Sequence, residues 1–166
     1  LKAADGGLLF LDEIGELGLD EQAMLLRALE EKRFFPLGSD SEVTSDFQLI
    51  CGTNKNLSLM IKEKKFREDL LARIQLWSFN IPSLKDRHED IEPNLDYELQ
   101  QISLNTGNMF SFNKEAREKF LSLSSSTKAL WKSNFRDLSG AVTRMSTLSE
   151  GGRITESDVE SEWNRL

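Results

Sequence analysis

The chain has 166 residues, of which 39% are hydrophobic and 30% charged, a composition that fits one or two small globular domains and excludes a disordered chain. Its formal net charge of −7 opposes broad attraction to nucleic acid, so contact with DNA is expected only through a domain outside this sequence. No apolar run approaches the roughly 20 residues of a membrane span, and the single cysteine, Cys51, excludes an internal disulfide. A cytoplasmic protein without membrane contact is predicted.

A short apolar segment that ends in two acids comes first along the chain. Leu8 to Leu11 follow two glycines and stop at Asp12 and Glu13, which is typical of a buried parallel strand with carboxylates at its C-terminal end. Asp20 is predicted to cap the next helix, which extends to about Lys32. The inner face of this helix is predicted to hold three apolar residues at three-residue spacing: Ala23, Leu26 and Leu29.

Two more strands and a second helix are predicted further along the first half. Pro36 to Asp46 is predicted to be an exposed loop, and a second buried strand follows it and ends at Asn54. A helix from about Lys65 to Ile74 then precedes a third strand. The apolar residues of these strands are Phe47, Leu49, Ile50 and Cys51 in the second, and Trp77, Phe79 and Ile81 in the third. This order predicts an α/β sheet with its ligand site beyond the carboxyl ends of the strands, where Asp12 and Glu13 also fall.

The strand patterns cease after Pro82, and the rest of the chain is predicted to be helical. We place the boundary near Ser83, so that residues 1–83 form an α/β part and residues 84–166 a helical part. Four helices are expected: one over residues 91–105, one capped by Asn113 and containing Ala116, Phe120 and Leu121, one capped by Asn134 with Asp137 three residues on, and one with a capping box at residues 155–158. The clearest apolar stripe belongs to the third of these helices, at Leu138, Ala141, Val142, Met145 and Leu148.

The acid pair after the first strand is suited to nucleotide chemistry. The first carboxylate can hold a hydrated magnesium ion beside phosphates, and the second can orient and deprotonate an attacking water. Taken alone, Asp12 and Glu13 also fit two solvated acids in an ordinary turn. Their interpretation therefore depends on the rest of the chain.

Several stretches resemble one family in the same order along nearly the whole chain. GGLLFLDEIGEL from Gly6 resembles the Walker B segment of bacterial sigma-54-dependent transcription activators, and FREDLLARI from Phe66 resembles their arginine-finger helix. IPSLKDRHEDI from Ile81 is similar to the junction into their helical lid, and NFRDL from Asn134 to their sensor II helix. The resemblance implies the C-terminal part of a AAA+ P-loop NTPase core followed by an all-helical lid. LICGTN, EDIEPNLDYEL and the pair Leu76-Trp77 resemble one subgroup of this family in particular.

The resemblance implies a role for each polar residue at the strand ends. Asp12 would hold Mg²⁺ and Glu13 would activate the water, while Asn54, together with Thr53, would sense the terminal phosphate of ATP. It also implies an ATPase that remodels the sigma-54 RNA polymerase holoenzyme and meets promoter DNA through a domain absent from this sequence.

The family's arginine fingers correspond to Arg67 and Arg73, which by resemblance would reach the ATP of a neighbouring subunit in a homo-oligomeric ring. On one helix, a separation of six residues at ~100° each leaves the two guanidinium groups about 120° apart. We therefore expect one to contact phosphate and the other to hold the interface, and the sequence leaves open which does which. The alternative is an ordinary charged surface in which both pair with Glu63, Glu68 and Asp69.

Arg136 corresponds to the family's sensor II residue, and its position supports that role on physical grounds. It lies in the first turn of its predicted helix, where a cation opposes the helix dipole by about 0.3–1 kcal/mol, and it is off the apolar stripe. A phosphate of bound ATP would supply the missing negative charge. The alternative is a salt bridge to Asp137 or Glu150.

The sequence also departs from the family pattern. It contains neither the phosphate-binding G-x-x-x-x-G-K-[ST] loop nor the GAFTGA loop that engages the sigma factor, and in the family both lie before the Walker B segment. Together with the missing initiating methionine, this indicates a piece of a longer protein that hydrolyses ATP poorly by itself. Before Asn134, Lys132-Ser133 replaces the usual Pro-Gly. Two alternatives stay open: a non-catalytic assembly module of the same architecture, and another kind of AAA+ ATPase.

Overall fold

The computed structural model describes residues 1–36, 38–126, 129 and 131–165. The chain divides into two compact units, Leu1–Phe79 and Asn80–Leu166. The first unit, which we call the α/β unit, contains β1 (Leu8–Leu11), α1 (Leu19–Glu31), β2 (Arg33–Phe34), β3 (Val43–Thr44), β4 (Gln48–Cys51), α2 (Leu57–Lys62) and α3 (Glu68–Ile74). The second, the helical unit, contains α4 (Ile91–Thr106), β5 (Ser111–Phe112), α5 (Lys114–Ser124), α6 (Phe135–Leu148), β6 (Arg153–Ile154) and α7 (Glu156–Trp163).

The centre of the α/β unit is a parallel pair of strands. β1 and β4 run in register from Leu8 opposite Gln48 to Leu11 opposite Cys51. The ladder continues one step past the strands, because Gly52 N donates to Leu11 O at 2.9 Å and Ile14 N donates to Gly52 O at 2.9 Å. Parallel pairing in this register brings the carboxyl ends of the two strands to the same edge.

The prediction that both strands are buried on both faces is wrong for the described chain. Leu8, Phe10 and Ile50 are 49–59% exposed, whereas the alternate residues Leu11 and Leu49 are half-buried and pack against the core. That core consists of Ile14 in the turn after β1, Leu25 and Leu26 in α1, Phe66 just before α3 and Leu70 in α3. The described unit therefore covers one face of the sheet, and side chains that alternate along a strand fall on opposite faces.

Helix α1 begins earlier than predicted and without a side-chain cap. Gly18 is its N-cap residue and Asp20 lies in its first turn, so the predicted Asp20 cap is wrong. Leu26 is buried, as predicted, while Ala23 and Leu29 are half-buried. The helix ends at Lys32, whose φ of 55° is left-handed. Lys32 O then accepts from Ser45 N at 2.8 Å.

The stretch predicted as a loop, residues 36–46, is partly ordered into a short hairpin. Arg33 and Phe34 pair antiparallel with Thr44 and Val43, and the Arg33 guanidinium pairs with Glu42 at 3.2 Å. Position 37 lies outside the described residues. The hairpin therefore starts where α1 ends.

The predicted third strand is absent from the described chain. Trp77, Phe79 and Ile81 lie in irregular backbone and are 78–86% exposed. A strand is stable only when another strand supplies its hydrogen bonds, and among the described residues no strand pairs with this segment. Alternating apolar residues indicate that one face of a segment would be buried in a strand, but they do not provide the neighbouring strand that its backbone needs.

The helical unit follows its local sequence signals closely. α4 covers the predicted 91–105, Asn113 caps α5 by accepting from Ala116 N at 2.7 Å, and Thr155 with Asp158 forms the predicted capping box of α7. Of the α6 stripe, Leu148 is the exception, at 74% exposed. The core joins residues from all the helices: Leu84, Ile91, Leu95, Leu99, Ala116, Phe120, Ala129, Trp131, Leu138, Ala141, Val142, Met145, Ile154 and Val159.

One predicted cap of the helical unit is wrong. Asn134 precedes α6 but makes no side-chain cap there. Its Oδ1 instead accepts from Leu84 N at 2.8 Å, and its backbone adopts φ 54° and ψ −128°, a conformation that favours glycine. A tertiary hydrogen bond replaces the local one that the sequence indicated.

None of the helices in the described ranges is long and apolar enough to span a membrane.

Candidate functional site

The two acids predicted as a site follow β1 directly and lie beside the end of β4. Asp12 is next to Gly52, where an added Cβ would lie only 3.0 Å from Asp12 Oδ1. A glycine directly after β4 therefore leaves room for the Asp12 carboxylate. Both Asp12 and Glu13 are exposed, so the carboxylates face solvent at the sheet edge.

Glu13 is held in a strained backbone conformation. Its φ of 52° and ψ of 45° are left-handed, which costs a non-glycine residue about 1–3 kcal/mol. Its backbone N donates to Asp12 Oδ1 at 3.0 Å, and its Oε1 lies 3.5 Å from Asn54 Nδ2. The strain turns the chain at the strand end, and the second carboxylate meets the amide that follows the neighbouring strand.

Thr53 and Asn54 continue this edge after β4, and both are exposed. Thr53 Oγ1 accepts from Lys55 N at 3.1 Å. A Cβ on Gly15 would lie 3.0 Å from the same oxygen, so the turn after the acids packs closely on Thr53. The structure thus brings together Asp12, Glu13, Thr53 and Asn54, which the sequence had placed at this edge.

Lys55 belongs to this edge although sequence reasoning did not select it. Its Nζ pairs with Glu16 Oε2 at 2.8 Å and lies 3.3 Å from Gly15 O. The only sequence signal is a lone cation directly after Thr53 and Asn54. The ammonium ties the turn after the acids to the segment after β4.

The donor set fits a magnesium ion that also binds phosphate oxygens. The described residues contain no group of three or more His, Cys, Asp or Glu side chains that could hold a metal by themselves. Mg²⁺ in nucleotide sites normally uses one or two carboxylates, several waters and the phosphates. Asp12, next to the space left by Gly52, is the residue that would hold it.

Arg67 and Arg73 do not share one helix, so the predicted 120° separation is wrong. α3 begins at Glu68, and Arg67 is its N-cap residue with φ −82° and ψ 131°. The Arg67 guanidinium donates to both carboxylate oxygens of Asp69, at 3.0 and 2.6 Å. This hydrogen bonding raises the pKa of Arg67 and lowers the pKa of Asp69. Of the ion pairs in the charged-surface alternative, the one between Arg67 and Asp69 is therefore formed. Arg73 is exposed, and its Nη2 lies 3.3 Å from Leu29 O.

A second residue missed by sequence reasoning stands behind Arg67. Gln22 in α1 is fully buried, and its Oε1 accepts from Arg67 N at 2.8 Å. Its Nε2 donates to Leu17 O at 2.7 Å and to Lys65 O at 3.0 Å. The available signal was an amide on the inner face of an amphipathic helix, where apolar residues are the rule.

Arg136 is the second residue of α6 in the helical unit and is exposed. Within the described residues it forms no ion pair with Asp137 or Glu150, because the Asp137 carboxylate accepts from Ser133 N at 2.7 Å instead. The guanidinium of Arg87 stacks on the ring of the preceding residue, Phe135, with 4.9 Å between its central carbon and the ring centroid. The salt-bridge alternative for Arg136 is therefore not realised here.

Two adjacent acids at the end of a parallel strand, a polar amide after the neighbouring strand and a helical unit later in the chain fit the AAA+ fold class. Residues 1–80 match the family described as the sigma-54 interaction domain. The chain is similar to the sigma-54-dependent transcription activators, through these residues and through relatives that align along nearly its whole length.

Known relatives align along the whole chain. The transcriptional regulatory protein RtcR of Escherichia coli is 58% identical over 166 residues, which are 100% of this chain and 31% of RtcR. The DNA-binding transcriptional regulator NtrC of Klebsiella pneumoniae is 35% identical over 160 residues, 96% of this chain and 33% of NtrC. The chain thus spans about a third of the length of these relatives. RtcR represents the subgroup that three sequence stretches resemble.

The fold also matches solved structures. NtrX from Brucella abortus in complex with ADP superposes with a TM-score of 0.83 at 29% identity, covering 98% of this chain and 36% of NtrX. NtrX in complex with ATP gives a TM-score of 0.81, also at 29% identity, covering 94% of this chain and 36% of that one. These matches show the AAA+ fold of the chain.

Proposed function

We propose that this chain supplies the catalytic acids and the lid of a longer sigma-54-dependent activator, which couples ATP hydrolysis to remodelling of the sigma-54 RNA polymerase holoenzyme. The observation that supports this best is the meeting of Glu13 Oε1 and Asn54 Nδ2 at 3.5 Å, where two parallel strands end. A water-activating carboxylate and a phosphate-sensing amide need this proximity, because both act on the terminal phosphate of one nucleotide.

Each residue at this edge has one proposed task. Bound Mg²⁺ would neutralise charge on the phosphates of ATP, and Asp12 would hold it. Glu13 would orient the attacking water and accept its proton. Thr53 and Asn54 would donate hydrogen bonds to the γ-phosphate.

The three arginines have the remaining proposed roles. Arg67 or Arg73 would neutralise charge on ATP bound by a neighbouring subunit of a homo-oligomeric ring, and Arg136 would contact phosphate from the lid. Promoter DNA would be bound by a domain outside this chain. We expect this chain alone to hydrolyse ATP poorly, because a cradle of backbone amides and a lysine for the β- and γ-phosphates is missing from its sequence.

Glu13→Ala in a full-length regulator that contains this chain tests the central assignment. We expect hydrolysis to fall by about 10²-fold or more, because general base catalysis is lost, while ATP binding is kept. Phosphate release measures hydrolysis, and titration with a fluorescent nucleotide measures ATP binding. The matched control is Glu30→Ala, an exposed acid of α1, which should keep hydrolysis within about twofold of wild type.

Mixed subunits distinguish a shared active site from a non-catalytic assembly module. Subunits with Glu13→Ala keep their arginines, and subunits with Arg67→Ala or Arg73→Ala keep their acids, so some interfaces of a mixed ring are intact. ATP hydrolysis should recover in part if the substituted arginine is the one that acts on the neighbouring subunit's ATP. Undiminished hydrolysis by Glu13→Ala, or hydrolysis that never depends on any of these residues, would support the assembly module instead.

A further inference from the structure

Gln22 is a polar side chain in the apolar interior of the α/β unit. It is 0% exposed and shares its face of α1 with the buried Leu25 and Leu26. Burying an amide without hydrogen bonds costs about 1–3 kcal/mol. A leucine or methionine at this position would pack without that cost, so the amide is there for its hydrogen bonds.

Those hydrogen bonds all go to backbone groups outside α1. Nε2 donates to Leu17 O at 2.7 Å and to Lys65 O at 3.0 Å, while Oε1 accepts from Arg67 N at 2.8 Å. A side-chain amide has two donor hydrogens and one acceptor oxygen, and here every one of them has a partner. Glutamate lacks the donors, and methionine lacks both donors and acceptor.

The acceptor bond falls on the backbone of the arginine itself. Arg67 is the N-cap residue of α3 with extended backbone dihedrals, and its amide has no partner inside the helix. Gln22 supplies that partner from another element. The other end of Arg67 is held by Asp69 through two hydrogen bonds, so the residue is fixed both at its backbone and at its guanidinium.

Arg73 is held differently. Its recorded hydrogen bond is the 3.3 Å contact of Nη2 with Leu29 O, and its backbone belongs to the regular helix α3. A change at position 22 therefore bears on Arg67 directly, through one hydrogen bond, and on Arg73 only through the helix.

We propose that Gln22 is a positioning residue, which sets the backbone of Arg67 so that the guanidinium is presented at the ring interface. This inference rests on the proposed function and takes Arg67, of the two candidate arginines, as the one that acts on the ATP of a neighbouring subunit. The two donor bonds, to Leu17 and Lys65, anchor the amide, and the acceptor bond fixes Arg67.

The test uses Gln22→Met in a full-length regulator that contains this chain. We expect turnover to fall by about tenfold, since small displacements of a charge-stabilising group cost one to two orders of magnitude. Affinity for ATP in the same subunit should not change. The matched control is Gln75→Met, the same change at the exposed C-terminal end of α3, which should keep wild-type turnover.

Subunit mixing gives a readout that a purely structural role would not produce. In mixed rings of Gln22→Met and Glu13→Ala subunits, some interfaces combine the intact acids of a Gln22→Met subunit with the correctly placed Arg67 of a Glu13→Ala subunit. Activity should therefore recover in part. In rings of Gln22→Met and Arg67→Ala subunits, every interface receives a defective arginine, so no recovery is expected. Recovery with both partners, or with neither, would overturn the proposal.

Two further outcomes separate this inference from the proposed function. If Arg67→Ala leaves hydrolysis unchanged, the proposed role of Arg67 fails and the inference fails with it. If Arg67→Ala abolishes hydrolysis while Gln22→Met, correctly assembled, retains it, only the inference fails. Should Gln22→Met not assemble, Gln22→Asn replaces it, because asparagine keeps the amide but is one methylene shorter. The same mixing pattern is then expected with a smaller loss, and its absence contradicts the proposal.

Discussion

The two units of the chain bury their apolar residues to very different extents. In the helical unit, large side chains such as Phe120, Leu138 and Ile154 are 0–1% exposed, and every helix contributes to one core. In the α/β unit, Phe10 in the central strand pair is 59% exposed and Trp77 is 79% exposed. A helix satisfies its own backbone and needs to cover only one stripe, whereas a parallel strand needs neighbours at both edges and on both faces.

The candidate site follows the same division. Its acids and its amide lie at an exposed strand edge of the α/β unit, and their positions depend on the register of β1 and β4. Arg136 lies on α6, whose inner face is fully buried at Leu138, Ala141 and Val142. The candidate acids and amide therefore lie where the α/β unit is least covered, while Arg136 lies on a helix whose inner face is buried.

The largest expected effect compares the same substitution in the two units. Phe120→Ala removes a ring that is 1% exposed and should lower the free energy of unfolding by about 3–5 kcal/mol. Phe10→Ala removes a ring that is 59% exposed and should cost less than about 1 kcal/mol. Urea unfolding followed by circular dichroism measures both. Equal losses would show that the sheet face of Phe10 is covered in solution.

The second effect compares one ion pair in each unit. Arg144 binds Glu162 through Nε at 3.0 Å, and the Glu162 side chain is only 6% exposed. Arg144→Met would leave that carboxylate buried with only the more distant Arg165, at 3.6 Å, and should cost about 2–3 kcal/mol. Lys55→Met breaks the exposed pair with Glu16 and should cost less than about 0.5 kcal/mol. A loss from Arg144→Met no greater than that from Lys55→Met, in the same unfolding assay, would contradict this ranking.

The third effect concerns the strained residue before α6. Asn134→Ala removes the hydrogen bond to Leu84 N and keeps a side chain at φ 54°, so a loss of about 1–2 kcal/mol is expected. Asn134→Gly removes the same bond but relaxes the backbone, so its loss should be smaller. Melting temperatures of the two variants give the order. A glycine variant less stable than the alanine variant would show that strain contributes little here.

The smallest effect is the pH dependence of a surface pair in the helical unit. The hydrogen bond from Arg117 lowers the pKa of Asp96, so the pair stabilises the fold above the unfolded pKa of about 3.9. That stability is lost as the pH falls through the lower folded pKa. Asp96→Asn should therefore lower stability at pH 7 and make it less sensitive to acid as the pH falls below about 4. Because the Asp96 side chain is 55% exposed, the change should also shrink in high salt. Unfolding curves at several pH values and two salt concentrations test this.

Local signals were sufficient for most of the helical unit. The caps at Asn113 and Thr155 and, apart from Leu148, the stripe of α6 were predicted correctly, because each depends on residues within a turn or two of one helix. The meeting of Asp12, Glu13, Thr53 and Asn54 was also predictable, since parallel strands end at one edge. Lys55 and Gln22 were missed, because Glu16, the partner of Lys55, is 39 positions away and Arg67, a partner of Gln22, is 45 positions away.

The amino-acid sequence by itself indicated β1, β4 and most of the helices, the polar residues at the ends of these strands and the family that they resemble. Tertiary structure decided which strand face is covered and that residues 77–81 form no strand in the described chain. It also decided that the Asn134 side chain accepts a hydrogen bond from Leu84 N instead of capping its own helix. Arg67 lies at the N-cap of α3, where its backbone amide donates to Gln22. The physical reason is the range of the interactions. Capping and amphipathic periodicity act within a few residues, whereas the burial of a face and the choice of a distant hydrogen-bond partner depend on how separate segments pack.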